Sequence, residues 1–213
     1  MIPPLPTERQ ADHPPISDEP APTGRLIVIS GASGSGKSTL VDRLLERPGL
    51  PFRRSISATT RPPRPGETPG VDYLFMTRDQ FEADRDRGDF LESAEVHGNL
   101  YGTPAGPIRG SLARGISPIL VIDVQGAMLV RDRMPEALLV FIEAPSPEIL
   151  EARLRTRATD DEATILRRLA NARRENAQAE HYDHRIVNDD LDRAVDELAA
   201  ILTPTSTPSR PGG

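Results

Sequence analysis

The stretch from Arg25 to Leu40, RLIVISGASGSGKSTL, restricts the possible folds more than any other part of the chain. It opens with an apolar, β-branched run, Leu26-Ile27-Val28-Ile29, the composition of a strand buried on both faces. The chain then passes through Gly31-Ala32-Ser33-Gly34-Ser35-Gly36 and reaches Lys37-Ser38-Thr39-Leu40, which reads as the start of a helix. This is the pattern G-x-x-x-x-G-K-[ST] between a strand and a helix, the context in which it forms a phosphate-binding loop. Glycines let the backbone wrap an anion with successive N–H groups pointing inward, and the helix adds its positive N-terminal end. Lys37 is expected on the β/γ-phosphates of a nucleoside triphosphate and the Ser38 hydroxyl on Mg²⁺. A Gly/Ser-rich linker could match the pattern by accident, but it would not need the flanking strand and helix.

The 213 residues suffice for one substantial α/β domain with an insertion and are few for two independent domains. The chain has no cysteine, which excludes disulfides and thiolate metal sites and favours a reducing, cytoplasmic setting. No apolar run approaches the length of a membrane span, and the N-terminus lacks the basic and apolar regions of a secretory signal. A net charge of −6 argues against general nucleic-acid binding. The arginines nonetheless cluster at 153–174, which suits a small polyanion. Protein partners are not specified by the sequence.

Residues 1–23 hold seven prolines with almost no periodicity and read as a disordered leader; the tail 203–213 has the same character. Between them, 24–202 alternates strand and helix signals. Helices are expected at 37–46, with Leu40, Leu44 and Leu45 inward, and at 77–88, where Thr77 can cap. Further helices are expected at 107–114, 126–133, 145–157, 164–179 (Ile165, Leu166, Leu169 and Ala172 inward) and 191–202. Strands are expected at 26–29, 52–57, 73–75, 90–96, 117–124, 137–142 and 185–188. The alternation implies a three-layer α/β fold with a parallel sheet covered on both sides. Residues 58–103 interrupt it as an insertion of short strands and one helix, and 58–71, rich in Pro, Arg, Thr and Gly, reads as irregular.

The segment Ser57-Ala58-Thr59-Thr60-Arg61-Pro62-Pro63-Arg64-Pro65-Gly66-Glu67 lies in that insertion. Three prolines stiffen it and present Arg61 and Arg64 with little side-chain freedom left to lose, which suits a phosphate. By spacing alone, a surface loop with solvated arginines is an equal alternative. Two of the chain's three tyrosines, Tyr73 and Tyr101, belong to the same insertion and could donate phenolic protons to an anion.

Taken together, SATTRPPRPGETPGVDYLF, FLESAEVHGNLYGTP and ILVIDVQGA occur in the order and spacing of the guanylate kinase family, which the chain resembles from Leu26 to about Leu202. The resemblance implies transfer of the ATP γ-phosphate to GMP, extending to dGMP, with the insertion as a GMP-binding subdomain. It implies that the GMP phosphate meets Arg61, Arg64, Tyr73 and Tyr101. It implies that the guanine edge meets Ser57, Glu92, Thr103 and Asp123. An ionised Glu92 suits guanine's adjacent ring N1–H and exocyclic amine, whereas adenine would set acceptor against acceptor.

The same resemblance places an arginine-bearing lid at 153–168, with Arg153, Arg157 and Arg168 over the donor phosphates, and sets Asn188 near the adenine of ATP. From the residues alone, Asn188-Asp189-Asp190 also suits a helix cap. The acceptor is an already ionised phosphate oxygen, so no general base is required, and Lys37, Arg61 and the lid arginines would neutralise charge in line. Two positions depart from the family pattern: Val121, where an acidic residue is common, bears on catalytic efficiency, and Ala158, where glycine is usual, bears on lid motion. Three other readings use parts of the same chain: a different small-molecule kinase, a non-enzymatic interaction module of this fold, and an ATPase lacking an acceptor. The first does not need the Arg61, Arg64, Tyr73, Glu92, Tyr101 set. The second does not need Lys37 and Ser38. The third needs a water-positioning residue, and none is identifiable.

Overall fold

A computed structural model describes residues 24–96, 98–156 and 162–203. Five strands, β1 (Ile27–Ser30), β2 (Phe52–Arg54), β7 (Ser117–Val121), β8 (Leu138–Glu143) and β9 (His184–Val187), form one parallel sheet in the order β2-β7-β1-β8-β9. The central strands are apolar on both faces because alternate side chains enter different cores. Ile27 and Ile29 pack with Leu40, Val41 and Leu44 of α1 (Lys37–Leu45) and with Val195 and Leu198 of α7 (Leu191–Leu202). Leu26 and Val28 pack on the other side with Ile108 of α3 (Ala105–Leu112) and with Ala127 and Val130 of α4 (Val124–Arg133). The outcome is the expected three-layer α/β core. Strand order reverses about β1, and β1 therefore delivers its following loop to the crevice at the carboxyl ends of the strands, where such sheets bind ligands.

The insertion builds a second sheet, β4-β3-β6-β5, from β3 (Ala58–Thr59), β4 (Leu74–Phe75), β5 (Phe90–Val96) and β6 (Asn99–Pro104). Two strands differ from expectation. The composition of 58–71 predicts irregular chain, yet Ala58 and Thr59 pair with Gly102 and Tyr101 of β6 and with β4, and both are fully buried. β6 carries no strand signal in the sequence, because Tyr101-Gly102-Thr103-Pro104 lacks the apolar alternation of a strand. Its Gly102 is required by packing: a Cβ there would lie 2.9 Å from Phe81 and 3.0 Å from Phe90. Those two rings stack at 4.4 Å and form a small core with Ala58 and Leu100. Phe81 comes from α2 (Arg78–Asp86), whose start is fixed by a Thr77–Gln80 capping box, as the sequence suggested for Thr77.

After β8 the chain forms α5 (Pro147–Thr156) and α6 (Glu162–Asn176). Leu150, Leu154 and Ala172 pack beneath Ala32, tying this pair of helices to the loop after β1. Leu166 is 56% exposed, contrary to the inward face expected for it, while Ile165 and Ala172 are buried. The packed face runs through 165, 169 and 172, and one position beyond 165 is already turned about 100° away. Arg157 and Ala158, the leader 1–23 and the tail beyond Thr203 lie outside the described residues.

Candidate functional site

The loop after β1 takes the conformation that its glycines allow. Gly31, Gly34 and Gly36 have φ of 139°, 91° and 91°, which L side chains rarely adopt. At Gly31 the neighbourhood is also closed: a Cβ would lie 2.1 Å from the carbonyl oxygen of Ile142 on β8. Gly36 is the N-cap of α1 and supplies no side-chain acceptor, so the positive helix end is directed into the crevice without a side-chain cap. Lys37 Nζ donates to the carbonyls of Gly31 and Ala32 at 2.6 and 2.8 Å, folding the ammonium over its own loop.

The loop is braced from behind. Asn188 Nδ2 donates to the Ser35 carbonyl at 2.8 Å, and a Cβ at Gly36 would lie 2.3 Å from that nitrogen. Arg153 of α5 donates to the Asn188 and Ser35 carbonyls at 2.8 and 3.4 Å. Arg153 and Asn188 thus meet the loop's backbone. The α7 cap expected within Asn188-Asp189-Asp190 is made by Asp190, whose side chain accepts from the Arg193 amide. Asn188 follows β9 directly and is 5% exposed, with its side chain on the loop.

Opposite the loop stands the insertion. Glu92 and Thr103 are register partners on β5 and β6, and the Thr103 hydroxyl donates to Glu92 Oε1 at 2.6 Å. A register shift between Phe90 and Glu92 lets Phe90 enter the phenylalanine core while Glu92 turns to the crevice. Glu92 is 3% exposed, and burial pushes its carboxyl up to about 7, with nearby Asp123 adding to the rise and the Thr103 hydroxyl opposing it. Helix α4 approaches closely through Gly126, where a Cβ would lie 3.1 Å from Glu92 Oε2. Asp123 caps α4 by accepting from the Gly126 amide at 2.8 Å.

Arg61 is pinned by Glu67. Its Nη1 and Nη2 donate to the two carboxylate oxygens at 2.9 Å each, and Nη1 also donates to the Pro62 carbonyl at 2.7 Å. Glu67 lifts the Arg61 guanidinium above its ordinary value and is itself lowered by that guanidinium. The guanidinium also stands 5.3 Å from the centre of the Tyr73 ring, and the Tyr73 and Tyr101 rings meet edge to face at 6.1 Å. Burial raises the Tyr73 phenol. Arg64 is exposed on the following turn, with its amide donating to Glu67 at 2.7 Å.

These parts enclose two adjoining spaces. A cavity of about 300 Å³ is lined by Gly31, Ser33, Lys37 and Ser38 on one side, Ser57, Tyr73, Glu92, Tyr101 and Asp123 on the other, and Arg168 of α6 above. A polar cavity of about 250 Å³ shares Ser38, Ser57 and Tyr73 and adds Arg54, Arg61, Arg64 and Glu67. Thr103 stands behind Glu92, fully buried. Val121 lines both spaces. Of the remaining expected residues, Ala32 is buried against α5, Gly34 lies under Leu150 and Leu154, and Ser35 faces the Asn188 brace. Thr39 is exposed on α1. Arg157 is outside the described residues. Sequence reasoning missed Glu67, Gly126 and the α6 residues Asn171 and Glu175 that join Arg168 in lining the cavity. The 168, 171, 175 spacing was the available signal for the last two, since it marks one helix face.

The family model described as guanylate kinase matches residues 23–205. The guanylate kinase of Rubrobacter xylanophilus is 49% identical over 180 residues, covering 84% of this chain and 93% of that protein. The guanylate kinase of Gloeobacter violaceus is 49% identical over 193 residues, covering 90% and 93%. Among solved structures, the guanylate kinase of Anaplasma phagocytophilum superposes with a TM-score of 0.71 at 36% identity, covering 85% of this chain and 86% of that one.

Proposed function

This chain belongs to the guanylate kinase family and phosphorylates GMP with ATP, and from that premise we propose how its residues divide the work. The observation that carries the proposal is the single cavity bounded on one wall by Gly31, Ser33, Lys37 and Ser38 and on the other by Glu92, Tyr101 and Asp123. A donor phosphate chain on the first wall and a nucleoside monophosphate on the second would be held face to face, which is what direct transfer requires.

On the donor side, the loop amides of residues 31–39 and the start of α1 receive the ATP phosphates, and Lys37 supplies the mobile positive charge. Asn188 and Arg153 hold the loop's shape through Ser35. Asn188 also stands on the side we assign to adenine. On the acceptor side, Thr103 orients Glu92, and Glu92 accepts from guanine N1–H and the exocyclic amine, with Ser57 and Asp123 completing the edge. Arg61, Arg64, Tyr73 and Tyr101 receive the GMP phosphate. We include dGMP beside GMP as an acceptor, since the residues assigned here meet the base and the phosphate.

The attacking phosphate oxygen is ionised at neutral pH and needs no base. Lys37, Arg61, Arg153, Arg157 and Arg168 are assigned to neutralising the transferring group. Residues 153–168 act as a lid whose closure excludes water. The site suits Mg²⁺, a hard cation bound mainly by phosphate oxygens and water. The Ser38 hydroxyl offers one oxygen, and no group of three or more His, Cys, Asp or Glu among the described residues forms a rival metal site. When bound with ATP, the ion supplies charge neutralisation of the phosphates. We assign 24–202 as the working domain, with 58–103 as its GMP-binding part and the proline-rich ends outside it. Among the described residues no helix is long and apolar enough to cross a membrane, and the absence of cysteine suits the cytoplasm.

The test is Lys37→Ala in steady-state phosphotransfer with the fold checked by circular dichroism. We expect kcat to fall by roughly a hundredfold to a thousandfold, as for loss of one preorganised charge donor. Retention of most turnover would remove Lys37 from the transfer step.

A further inference from the structure

We propose that Glu67 is a positioning residue that decides which edge of Arg61 is presented to the acceptor phosphate. The inference rests on the reading above that Arg61 receives that phosphate, and deepens it.

A guanidinium has two useful bidentate edges, one through Nη1 and Nη2 and one through Nε and Nη2. In this protein Glu67 takes the first edge, with both carboxylate oxygens at 2.9 Å. The second Nη1 proton goes to the Pro62 carbonyl. On the second edge, Nε is buried and has no hydrogen-bond partner among the described residues, while the Tyr101 phenol lies within hydrogen-bonding reach of the guanidinium. A buried donor of this kind is costly unless something accepts from it, and a phosphate oxygen pair fits the Nε/Nη2 fork. The Arg61 side chain is only 11% exposed and lies over the Tyr73 and Phe75 rings, so the fork cannot swing freely to find another orientation.

Glu67 also fixes the backbone around it. Its Oε2 accepts from the Arg64 amide at 2.7 Å, while its own amide donates to the Arg64 carbonyl at 3.0 Å. Gly66 makes this turn possible with φ of 88°. Thr59 holds the entry, since its hydroxyl donates to the Leu100 carbonyl and accepts from the Arg61 amide. One carboxylate therefore sets the side chain of Arg61 and the course of the chain through Arg64, and both arginines line the same polar cavity with Tyr73. Gln at 67 would keep one acceptor and place an amide donor against a guanidinium donor, which frees Arg61 to rotate.

The experiment measures GMP and guanosine affinity by calorimetry, alongside KM and kcat, for wild type, Glu67→Gln, Arg61→Lys and the double variant, each checked by thermal melting. We expect Glu67→Gln to weaken GMP binding and raise its KM by about tenfold to a hundredfold, the range for a charged hydrogen bond that loses alignment. Guanosine affinity should be unchanged, and in the Arg61→Lys background Glu67→Gln should add less than about threefold. If Arg61→Lys weakens GMP while Glu67→Gln does not, Glu67 has no positioning role. Equal losses for GMP and guanosine, or fully additive losses in the double variant, mean that Glu67 only holds the fold. If Arg61→Lys itself leaves GMP affinity unchanged, the assignment of Arg61 to the phosphate fails, and this proposal fails with it.

Discussion

Glu92→Gln changes one carboxylate oxygen to an amide and leaves the volume nearly constant. The site is tight, with Gly126 giving room for Glu92 Oε2 and Thr103 donating to Oε1, so the variant side chain keeps its place and can still accept from Thr103. What it cannot do is accept from both guanine donors with a full charge. A charged hydrogen bond contributes about 1.5–3 kcal/mol, and the amide sets a donor against a donor. Losing the pair should cost about 3 kcal/mol or more, a fall in kcat/KM for GMP of at least about a hundredfold. The empty protein should respond in the opposite sense. Burial raises the Glu92 carboxyl from its ordinary 4.5 to about 7, so at pH 8 the folded chain carries a charge that costs about 3 kcal/mol relative to water. Glu92→Gln removes that charge, and its melting temperature at pH 8 should not fall below wild type. Coupled assays of ADP release with GMP and with AMP, plus melts at pH 6 and 8, read both effects. GMP turnover within about threefold of wild type would refute the placement of Glu92 at guanine.

The remaining predictions concern pH and the loop. Because Glu92 is raised, its contribution to stability is fully present below pH 4.5 and is lost as pH climbs through about 7; GMP binding, which needs the ionised form, follows the reverse course. KM for GMP should therefore fall by about tenfold from pH 6 to pH 8, and this component should vanish in Glu92→Gln, which retains the phosphate's own titration near pH 6. An identical pH profile in the two proteins would count against an ionising Glu92. Gly31→Ala sets a Cβ at 2.1 Å from the Ile142 carbonyl oxygen at a φ of 139°, and neither backbone can yield cheaply. A loss of about 3 kcal/mol, or roughly 6–12 °C in melting temperature, is expected; a melt unchanged from wild type would show that the loop does not pack as described.

Most of the core was readable because its signals are local. The β1 run, the glycines and Lys37 lie within sixteen residues, and each central strand is marked by continuous apolar composition. Thr77 and Gln80 announced a helix start in four residues. The insertion was harder because its strands are specified by distant partners. Ala58 and Thr59 are strand residues only because Gly102 and Tyr101 come alongside, and Gly102 is glycine because Phe81 and Phe90 occupy the space beneath it. The same holds at the site. The stiff surroundings of Arg61 mark it in the sequence as a candidate anion ligand, with a solvated loop as an equal alternative, whereas its pairing with Glu67 depends on a turn around Gly66 that composition does not dictate. Arg153 lies at the expected place on α5 but engages the Ser35 and Asn188 carbonyls, contacts between segments far apart in sequence that no local pattern announces.

The central claim is that one cavity joins an ATP-binding loop to a guanine-selective acceptor wall. ADP release from ATP, measured with GMP, dGMP, AMP, UMP or no acceptor, addresses it most directly. Rapid ADP formation is expected with GMP and dGMP, and only background release with AMP, UMP or no acceptor. ADP formation independent of acceptor, or equal with AMP and GMP, would contradict it.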